Sequence, residues 1–131
     1  MTKKSLDKIL YVEDDADIAE VTIMTMQELG NFNVKHCISG KKCIEEVVKF
    51  DPDLIILDMM MPDMDGIETL HQLKTIEIVK DIPVIFMTAK MQNHERQSYL
   101  NEGAIGVIMK PFDPMKLCDE IRKIWQDNNK G

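Results

Sequence analysis

The sequence predicts an α/β fold, a doubly wound five-stranded parallel sheet with helices on both of its faces. Short β-type runs alternate five times with longer runs of helical periodicity, which is the pattern of repeated strand–helix units. Three of the β-type runs are apolar without interruption, as expected for strands that are covered on both faces. We therefore expect a parallel sheet whose connections are right-handed.

The first strand–helix unit begins with a strand over Lys8–Val12. Residues 16–29 are predicted as the helix that follows, with Asp14 or Asp15 as its N-cap and Gly30 as its stop. Four of its side chains recur at helical spacing, as on one buried face: Ile18, Val21, Thr25 and Leu29.

The second unit starts with a strand over residues 33–38. Ser39 then caps a helix that the Asp-Pro-Asp sequence of residues 51–53 brings to an end. We expect three side chains of this helix to face inward: Ile44, Val47 and Val48.

Three apolar runs in the rest of the chain are predicted as buried strands: residues 54–57, 83–87 and 105–109. Pro83 fits this prediction because proline is tolerated as the first residue of a strand. Residues 90–102 are predicted as a helix with few apolar side chains, which Gly103 ends. We expect this helix to be the least stable one, and either a candidate switch element or simply a solvated helix.

The clearest helical pattern closes the chain. Asp113 is predicted as the N-cap of this helix and Pro114 as its first residue. Five residues form its apolar face: Leu117, Cys118, Ile121, Ile124 and Trp125. We expect a single domain over residues 1–131, with a core from about residue 8 to residue 125 and a polar tail over residues 126–131. The tail is either a natural end or the start of a linker.

The composition argues against several classes of protein. The chain of 131 residues carries 16 Lys and Arg against 23 Asp and Glu, a net charge of −7, which disfavours binding to nucleic acid or to anionic lipid. No apolar run approaches the roughly 18 residues needed to span a bilayer, and the N-terminus lacks the pattern of a signal peptide. Three cysteines without C-x-x-C spacing indicate reduced thiols. We therefore expect a cytoplasmic protein that binds neither nucleic acid nor membrane.

Residues with reactive or charged side chains follow four of the five predicted strands. Glu13 and Asp14 follow the first strand, Asp58 the third, Thr88 the fourth and Lys110 the fifth. Because a site in an open parallel sheet lies beyond the carboxyl ends of its strands, we expect these side chains to converge. Asp58 is the hardest to explain structurally, since a lone carboxylate at the end of a buried strand is costly unless it is paired or bound to metal.

This combination of side chains favours phosphoryl chemistry. Three carboxylates that lie close together repel one another unless a divalent cation sits among them, and hard oxygen ligands suit Mg²⁺. An ionised Asp58 could attack phosphorus and become an acyl phosphate. Lys110 and Thr88 would then hold the remaining phosphoryl oxygens.

From about Lys8 to Trp125 the chain resembles a response-regulator receiver domain of two-component signalling, of the type found in chemotaxis regulators. Four motifs carry the resemblance: ILYVED at residues 9–14, DLIILDMMMPDMDG at 53–66, VIFMTA at 84–89 and GVIMKPF at 106–112. Their order and spacing together are highly specific, although each motif alone is moderately common. The resemblance implies a flavodoxin-like sheet with the strand order 2-1-3-4-5.

The resemblance also assigns roles to single residues. It implies that the Mg²⁺ ligands are Glu13, Asp14, Asp58 and the backbone carbonyl of Met60. Asp58 would be the phosphoacceptor, and Thr88 and Lys110 would sense the phosphoryl group. The Lys110–Pro111 bond would be the cis peptide of the family.

Three positions depart from the family pattern, of which Glu13, the first of the acidic pair, is a frequent variant that should still bind metal. Val107 stands three residues before the lysine, where receivers commonly carry Tyr or Phe. Met60 stands where many relatives have a polar residue. We therefore expect activation without an aromatic side chain that turns inward, and slow hydrolysis of a phosphoryl group on Asp58. Lys90 would act in the opposite direction if it held the attacking water.

The function implied by the resemblance is that of a phosphorylation-controlled switch. A sensor histidine kinase or a histidine phosphotransfer protein would donate the phosphoryl group, and the domain would promote only its own phosphorylation and dephosphorylation. Its surface would change for a downstream protein target, in a monomer or a phosphorylation-dependent dimer. As no output domain follows Trp125, we expect a single-domain regulator, a phosphorelay intermediate or an excised receiver.

Two alternative functions use the same fold. One is a phosphorylation-independent interaction module. The other is a Mg²⁺-dependent phosphohydrolase with an aspartyl nucleophile. The phosphohydrolase is disfavoured because such enzymes usually need a second acid two residues after the nucleophile, and Met60 cannot supply one.

Overall fold

The computed structural model describes residues 5–89 and 93–129. Within these ranges the strands are β1 (Lys8–Val12), β2 (Asn33–Cys37), β3 (Leu54–Asp58), β4 (Val84–Thr88) and β5 (Gly106–Met109). The helices are α1 (Ala16–Glu28), α2 (Gly40–Phe50), α3 (Gly66–Lys74), α4 (Asn93–Asn101) and α5 (Pro114–Asn129). Strands and helices therefore alternate through the whole of the described chain, as predicted.

The five strands form one parallel sheet in the order β2-β1-β3-β4-β5. This order confirms the predicted doubly wound, flavodoxin-like fold. The chain adds β2 on one side of β1 and β3 on the other, so the strand order reverses between β1 and β3. A ligand site in such a sheet lies beyond the carboxyl ends of the strands at this reversal.

Helices cover both faces of the sheet. On one face, α2 and α3 pack over strand residues that include Leu10 and Ile55. On the other face, α1 and α5 pack over Tyr11 and Ile56. Successive residues of a strand point to opposite faces, so each central strand contributes to both cores. This explains why β3 is buried at every position.

The structure corrects the predicted buried face of α1. Ile18, Val21 and Leu29 are 37%, 55% and 55% exposed, and of the four predicted side chains only that of Thr25 is buried. The residues that α1 buries are Ala19, Thr22, Thr25 and Met26. Both threonines can be buried because their hydroxyls donate to carbonyls four residues earlier, at Ile18 and Val21. The packed face is thus formed largely by small residues rather than by the largest apolar ones.

The prediction for α2 is confirmed in part. The Ser39 hydroxyl caps the helix by accepting from the Lys42 N–H at 3.1 Å, and Val47 is fully buried. Ile44 is partly buried and packs against the core. Val48 is 47% exposed, so its predicted inward orientation is wrong. Val48 is about 100° around the helix from Val47 and lies outside the strip that contacts the sheet.

The last two helices differ in length from their predictions. The predicted helix over residues 90–102 corresponds to α4, and residues 90–92 lie outside the described residues. Asp113 caps α5 by accepting from the Met115 N–H at 2.9 Å, and Pro114 is the first residue of the helix. α5 continues to Asn129, so residues 126–129 of the predicted tail are helical. Among the described residues, no helix has the length and apolar character that crossing a membrane requires.

Candidate functional site

Three carboxylates meet at the carboxyl ends of β1 and β3. Glu13 and Asp14 directly follow β1, and Asp58 is the last residue of β3. One oxygen from each of the three lies within 4.8 Å of the others. Glu13 and Asp58 are 1% and 2% exposed, whereas Asp14 is exposed. The convergence predicted from the strand ends is therefore confirmed for these residues.

Lys110 joins the two buried carboxylates. Its ammonium donates to Glu13 Oε1 at 3.1 Å and to Asp58 Oδ1 at 3.0 Å, and its side chain is only 14% exposed. The Lys110 N–H donates to the Thr88 carbonyl at 2.8 Å, which fixes the backbone where β5 ends beside β4. The Lys110–Pro111 peptide is cis, as predicted. Lys110 is therefore placed by the sheet to face both carboxylates.

The remaining predicted residues lie around Asp58. Thr88 is the last residue of β4 and is 3% exposed. It follows Met87, which pairs with Asp58 in the sheet register. The Met60 N–H donates to Asp58 Oδ1 at 3.3 Å. The predicted part of the Met60 carbonyl in metal binding stays a prediction, and Lys90 lies outside the described residues.

Burial and mutual repulsion shape the electrostatics of the site. Burial, and next the neighbouring Asp58 carboxyl, raise the pKa of Glu13 to about 7, against the opposing effects of the Asp15 N–H and Lys110. Burial lowers the pKa of Lys110, but the hydrogen bonds to Asp58 and Glu13 outweigh it, and the pKa is raised overall. The Lys110 ammonium therefore stays charged, and the carboxylates outnumber it by three to one.

The donor set fits Mg²⁺. Three carboxylates and one ammonium leave an excess of two negative charges when all are ionised, which a single divalent cation would offset. All three side chains supply hard oxygen atoms, and Mg²⁺ prefers oxygen ligands and keeps several waters. The exposed position of Asp14 leaves one side of the cluster open to solvent.

Two residues that support the site were not singled out in the sequence. The Tyr11 hydroxyl donates to Glu13 Oε1 at 3.4 Å, and burial raises the pKa of Tyr11 well above its ordinary range. His36 Nε2 lies 2.8 Å from the Glu13 carbonyl oxygen, and the His36 ring lies against Tyr11. Tyr11 could have been found from the two-residue period of β1, which places it on the same face as Glu13. His36 is detectable only from the pairing of β2 with β1.

An apolar groove of about 550 Å³ adjoins the site. Lys110 lines this groove together with Ile18 and Val21 of α1. Its remaining walls are largely apolar residues from the segments after β4 and β5: Ala89, Pro111, Phe112 and Pro114. Ile18 and Val21, two of the exposed residues that the sequence pattern assigned to the core, therefore form part of a surface beside the acidic cluster.

A family model described as the response regulator receiver domain matches residues 9–122 of this chain. Among curated relatives, the phosphate regulon transcriptional regulatory protein PhoB of Escherichia coli is 33% identical over 119 residues, which are 91% of this chain and 52% of that protein. The chain thus spans about half the length of curated relatives that it matches.

Solved structures give the same result. The chemotaxis response regulator CheY4 of Vibrio cholerae superposes with a TM-score of 0.83 at 27% identity, and the match covers 92% of this chain and 99% of that one. The N-terminal domain of a response regulator receiver protein from Methanoculleus marisnigri has a TM-score of 0.73 at 36% identity, with 91% and 96% of the two chains covered. The similarity in sequence and the similarity in fold extend over nearly the whole chain.

Proposed function

Because this chain belongs to the response regulator receiver domain family, we propose that it accepts a phosphoryl group on Asp58 from a sensor histidine kinase or a histidine phosphotransfer protein. Receiver domains are signalling modules of two-component systems. The proposed outcome of phosphorylation is a change in the surface that a downstream protein binds. The proposed location is the cytoplasm, where a kinase would meet the domain.

The contact between Lys110 and Asp58 carries this proposal. Asp58 Oδ1 accepts from the Lys110 ammonium and from the Met60 N–H, so two donors hold this oxygen of the carboxylate in place. A buried carboxylate of fixed orientation is a suitable nucleophile, since little motion is needed before it attacks. The phosphoryl group would therefore be attached to a side chain that is already in place.

The proposed transfer forms one bond and breaks another. A carboxylate oxygen of Asp58 attacks phosphorus as the bond between phosphorus and the donor's imidazole nitrogen breaks, and that nitrogen keeps the electron pair. Lys110 offsets negative charge on the phosphoryl oxygens, and the Thr88 hydroxyl donates a hydrogen bond to one of them. Lys110 already lies within 3.1 Å of two site carboxylates, so it is placed to contact a group attached to Asp58.

Four groups would hold Mg²⁺ in this site: the carboxylates of Glu13, Asp14 and Asp58 and the backbone carbonyl of Met60. When bound, the ion supplies positive charge that allows an anionic phosphoryl group to approach a cluster of carboxylates. The closeness of the three carboxylates supports this assignment. In the proposed function the domain promotes only its own phosphorylation and dephosphorylation.

We assign the apolar groove beside Lys110 to the phosphoryl donor. The donor must bring a histidine ring to Asp58, so its contact surface must adjoin the site. The groove meets this requirement because Lys110 and the exposed Ile18 and Val21 line it together. Apolar residues on an exposed helix face are suited to pack against a helix of a partner.

The test is incubation of the full chain with acetyl phosphate, with and without Mg²⁺, followed by intact mass measurement. We expect a gain of one phosphoryl group that requires Mg²⁺ and is absent in the Asp58→Asn variant. Asp65→Asn is the matched control, because Asp65 lies in the same loop and caps α3 rather than joining the carboxylate cluster. Equal labelling of Asp58→Asn and the unaltered chain would place the phosphoacceptor elsewhere.

A further inference from the structure

The loop after β3 contains three consecutive methionines with alternating exposure. Met59 and Met61 are 6% and 9% exposed and belong to the core beneath α2 and α3. Met60, between them, is 75% exposed. Among the methionines that the structure describes, only Met115 has an equal exposure, 76%. A thioether is thus presented to solvent two residues after Asp58.

The backbone holds Met60 in this exposed position. The Met59 N–H donates to the Met87 carbonyl at 2.9 Å, and the Met59 carbonyl accepts from the Gly66 N–H at 3.2 Å. The Met60 N–H in turn donates to Asp58 Oδ1. These bonds fix the chain up to the Met60 amide and link Met60 directly to the carboxylate. A chemical change at this side chain would therefore occur beside Asp58.

We propose that Met60 is a site of reversible oxidation by peroxide, and that its sulfoxide shortens the lifetime of a phosphoryl group on Asp58. This inference rests on the proposed function. In the reaction the Met60 sulfur attacks one oxygen of hydrogen peroxide, the S–O bond forms and the O–O bond breaks. The second peroxide oxygen leaves as hydroxide. It then takes the proton from the oxygen that is now bonded to sulfur, which gives water and the sulfoxide. Sulfur loses two electrons and the peroxide gains them.

The sulfoxide changes what the side chain does to water. A thioether is a weak hydrogen-bond acceptor, so the native Met60 neither binds nor orients a water molecule near Asp58. A sulfoxide oxygen is polar and accepts strongly, and the three rotatable bonds of the side chain give it reach. Hydrolysis of the acyl phosphate requires water close to phosphorus. We expect a rate increase of about fivefold, the effect of one well-placed hydrogen bond.

The pattern of exposure makes the reaction selective within the loop. Met59 and Met61 are shielded by the core, whereas Met60 meets dissolved peroxide freely. Met115 serves as an internal control because it is as exposed as Met60 but lies in the first turn of α5, outside the carboxylate cluster. Oxidation at Met115 should leave the phosphoryl lifetime unchanged.

The test compares the full chain with the Met60→Leu and Met115→Leu variants. Each protein is treated with hydrogen peroxide, the excess is removed with catalase, and peptide mass measurement locates the sulfoxides. Treated and untreated samples are then loaded with acetyl phosphate and Mg²⁺, and intact mass follows the loss of the phosphoryl group. The measured quantity is the ratio of treated to untreated decay rates within each protein, so a changed starting rate in Met60→Leu does not affect the comparison.

We expect a ratio of about five for the unaltered chain and for Met115→Leu, and a ratio of about one for Met60→Leu. Reduction by a methionine sulfoxide reductase should restore the original rate. Equal ratios in the unaltered chain and Met60→Leu would overturn the inference, as would oxidation of Met60 no faster than that of Met59. If untreated protein gains no phosphoryl group, the proposed function itself is overturned; a normal lifetime that oxidation leaves unchanged overturns the inference alone.

Discussion

The ring of Tyr99 in α4 packs edge-to-face on the ring of Phe86 in β4, with 5.7 Å between the ring centroids and 74° between the ring planes. Phe86 is fully buried, and two residues later the same strand ends at Thr88. Tyr99 packs against the core but is itself only partly buried. The pair therefore connects α4 to the strand whose end adjoins the proposed phosphorylation site.

We predict that α4 is the least protected helix in amide hydrogen exchange. None of the described side chains of α4 is fully buried, whereas every residue of β3 is. Amides of α4 should exchange about a hundredfold faster than those of β3, since local opening costs less where little apolar surface is exposed. Equal protection of the two elements would contradict the prediction.

We expect phosphorylation of Asp58 to change the structure of α4 without an aromatic side chain that turns inward from β5. Val107 is buried and its branched side chain is too short to swing between core and surface. The NMR spectrum should change at residues 93–102 when beryllofluoride and Mg²⁺ are added, as well as around Asp58. Tyr99→Leu should weaken the changes in α4 and preserve those at Asp58. Changes confined to the Asp58 pocket in the unaltered chain would rule out a remote switch of this kind.

Asp14→Ala should weaken Mg²⁺ binding at least about tenfold, because it removes one hard oxygen ligand and one negative charge. The free energy of unfolding should change little, since the Asp14 side chain is exposed. Asp17→Ala is the control: Asp17 is another exposed acid of the same region but lies outside the cluster. Isothermal titration calorimetry measures the Mg²⁺ affinity of both variants. Unchanged affinity in Asp14→Ala would show that the metal site is wrongly placed.

Val21→Asp should slow phosphotransfer from a phosphorylated histidine phosphotransfer protein by about tenfold or more, because a charge would replace an apolar contact in the groove. Its rate with acetyl phosphate should stay within about twofold of the original, since that small donor needs no docking surface. Val48→Asp introduces the same charge at a similar exposure on α2 and should leave both rates unchanged. A selective loss in Val48→Asp would move the docking surface to the opposite face of the sheet.

Stability should fall as the pH rises above about 9. Burial raises the pKa of Cys37 to about 11 and that of Cys43 to about 12. In the unfolded chain both thiols lose their protons at lower pH than in the folded chain. Between the unfolded-state and the folded-state pKa of each thiol, a rise in pH therefore lowers the free energy of unfolding. In Cys43→Ala the decline in unfolding free energy between about pH 8 and about pH 10 should be shallower by up to about 1 kcal/mol per pH unit. The free energy of unfolding is measured by urea unfolding at each pH. If it declined equally steeply in Cys43→Ala and in the unaltered chain, the raised pKa of Cys43 would be contradicted.

The strand order and the position of Asp58 could be predicted for separate reasons. The continuous apolar run of β3 is a local property of the sequence and indicates a strand buried on both faces. The strand order 2-1-3-4-5 was implied by the resemblance of four motifs, not by periodicity. The inner face of α1 could not be predicted, because Ala19 and Thr22 lie against the sheet through helix packing that a single-segment pattern does not reveal.

The reactive side chains at the strand ends can be identified from the sequence alone, because the residue that follows an apolar run is given by the order of the chain. Glu13, Asp58 and Lys110 were identifiable in this way. The folded chain is needed to show that Lys110 bridges the two carboxylates across 97 and 52 residues of chain, and that Tyr11 and His36 support Glu13. Such contacts depend on how the strands pair and how the helices pack on them. Pairing and packing involve segments that are distant in sequence, so no single segment reveals them.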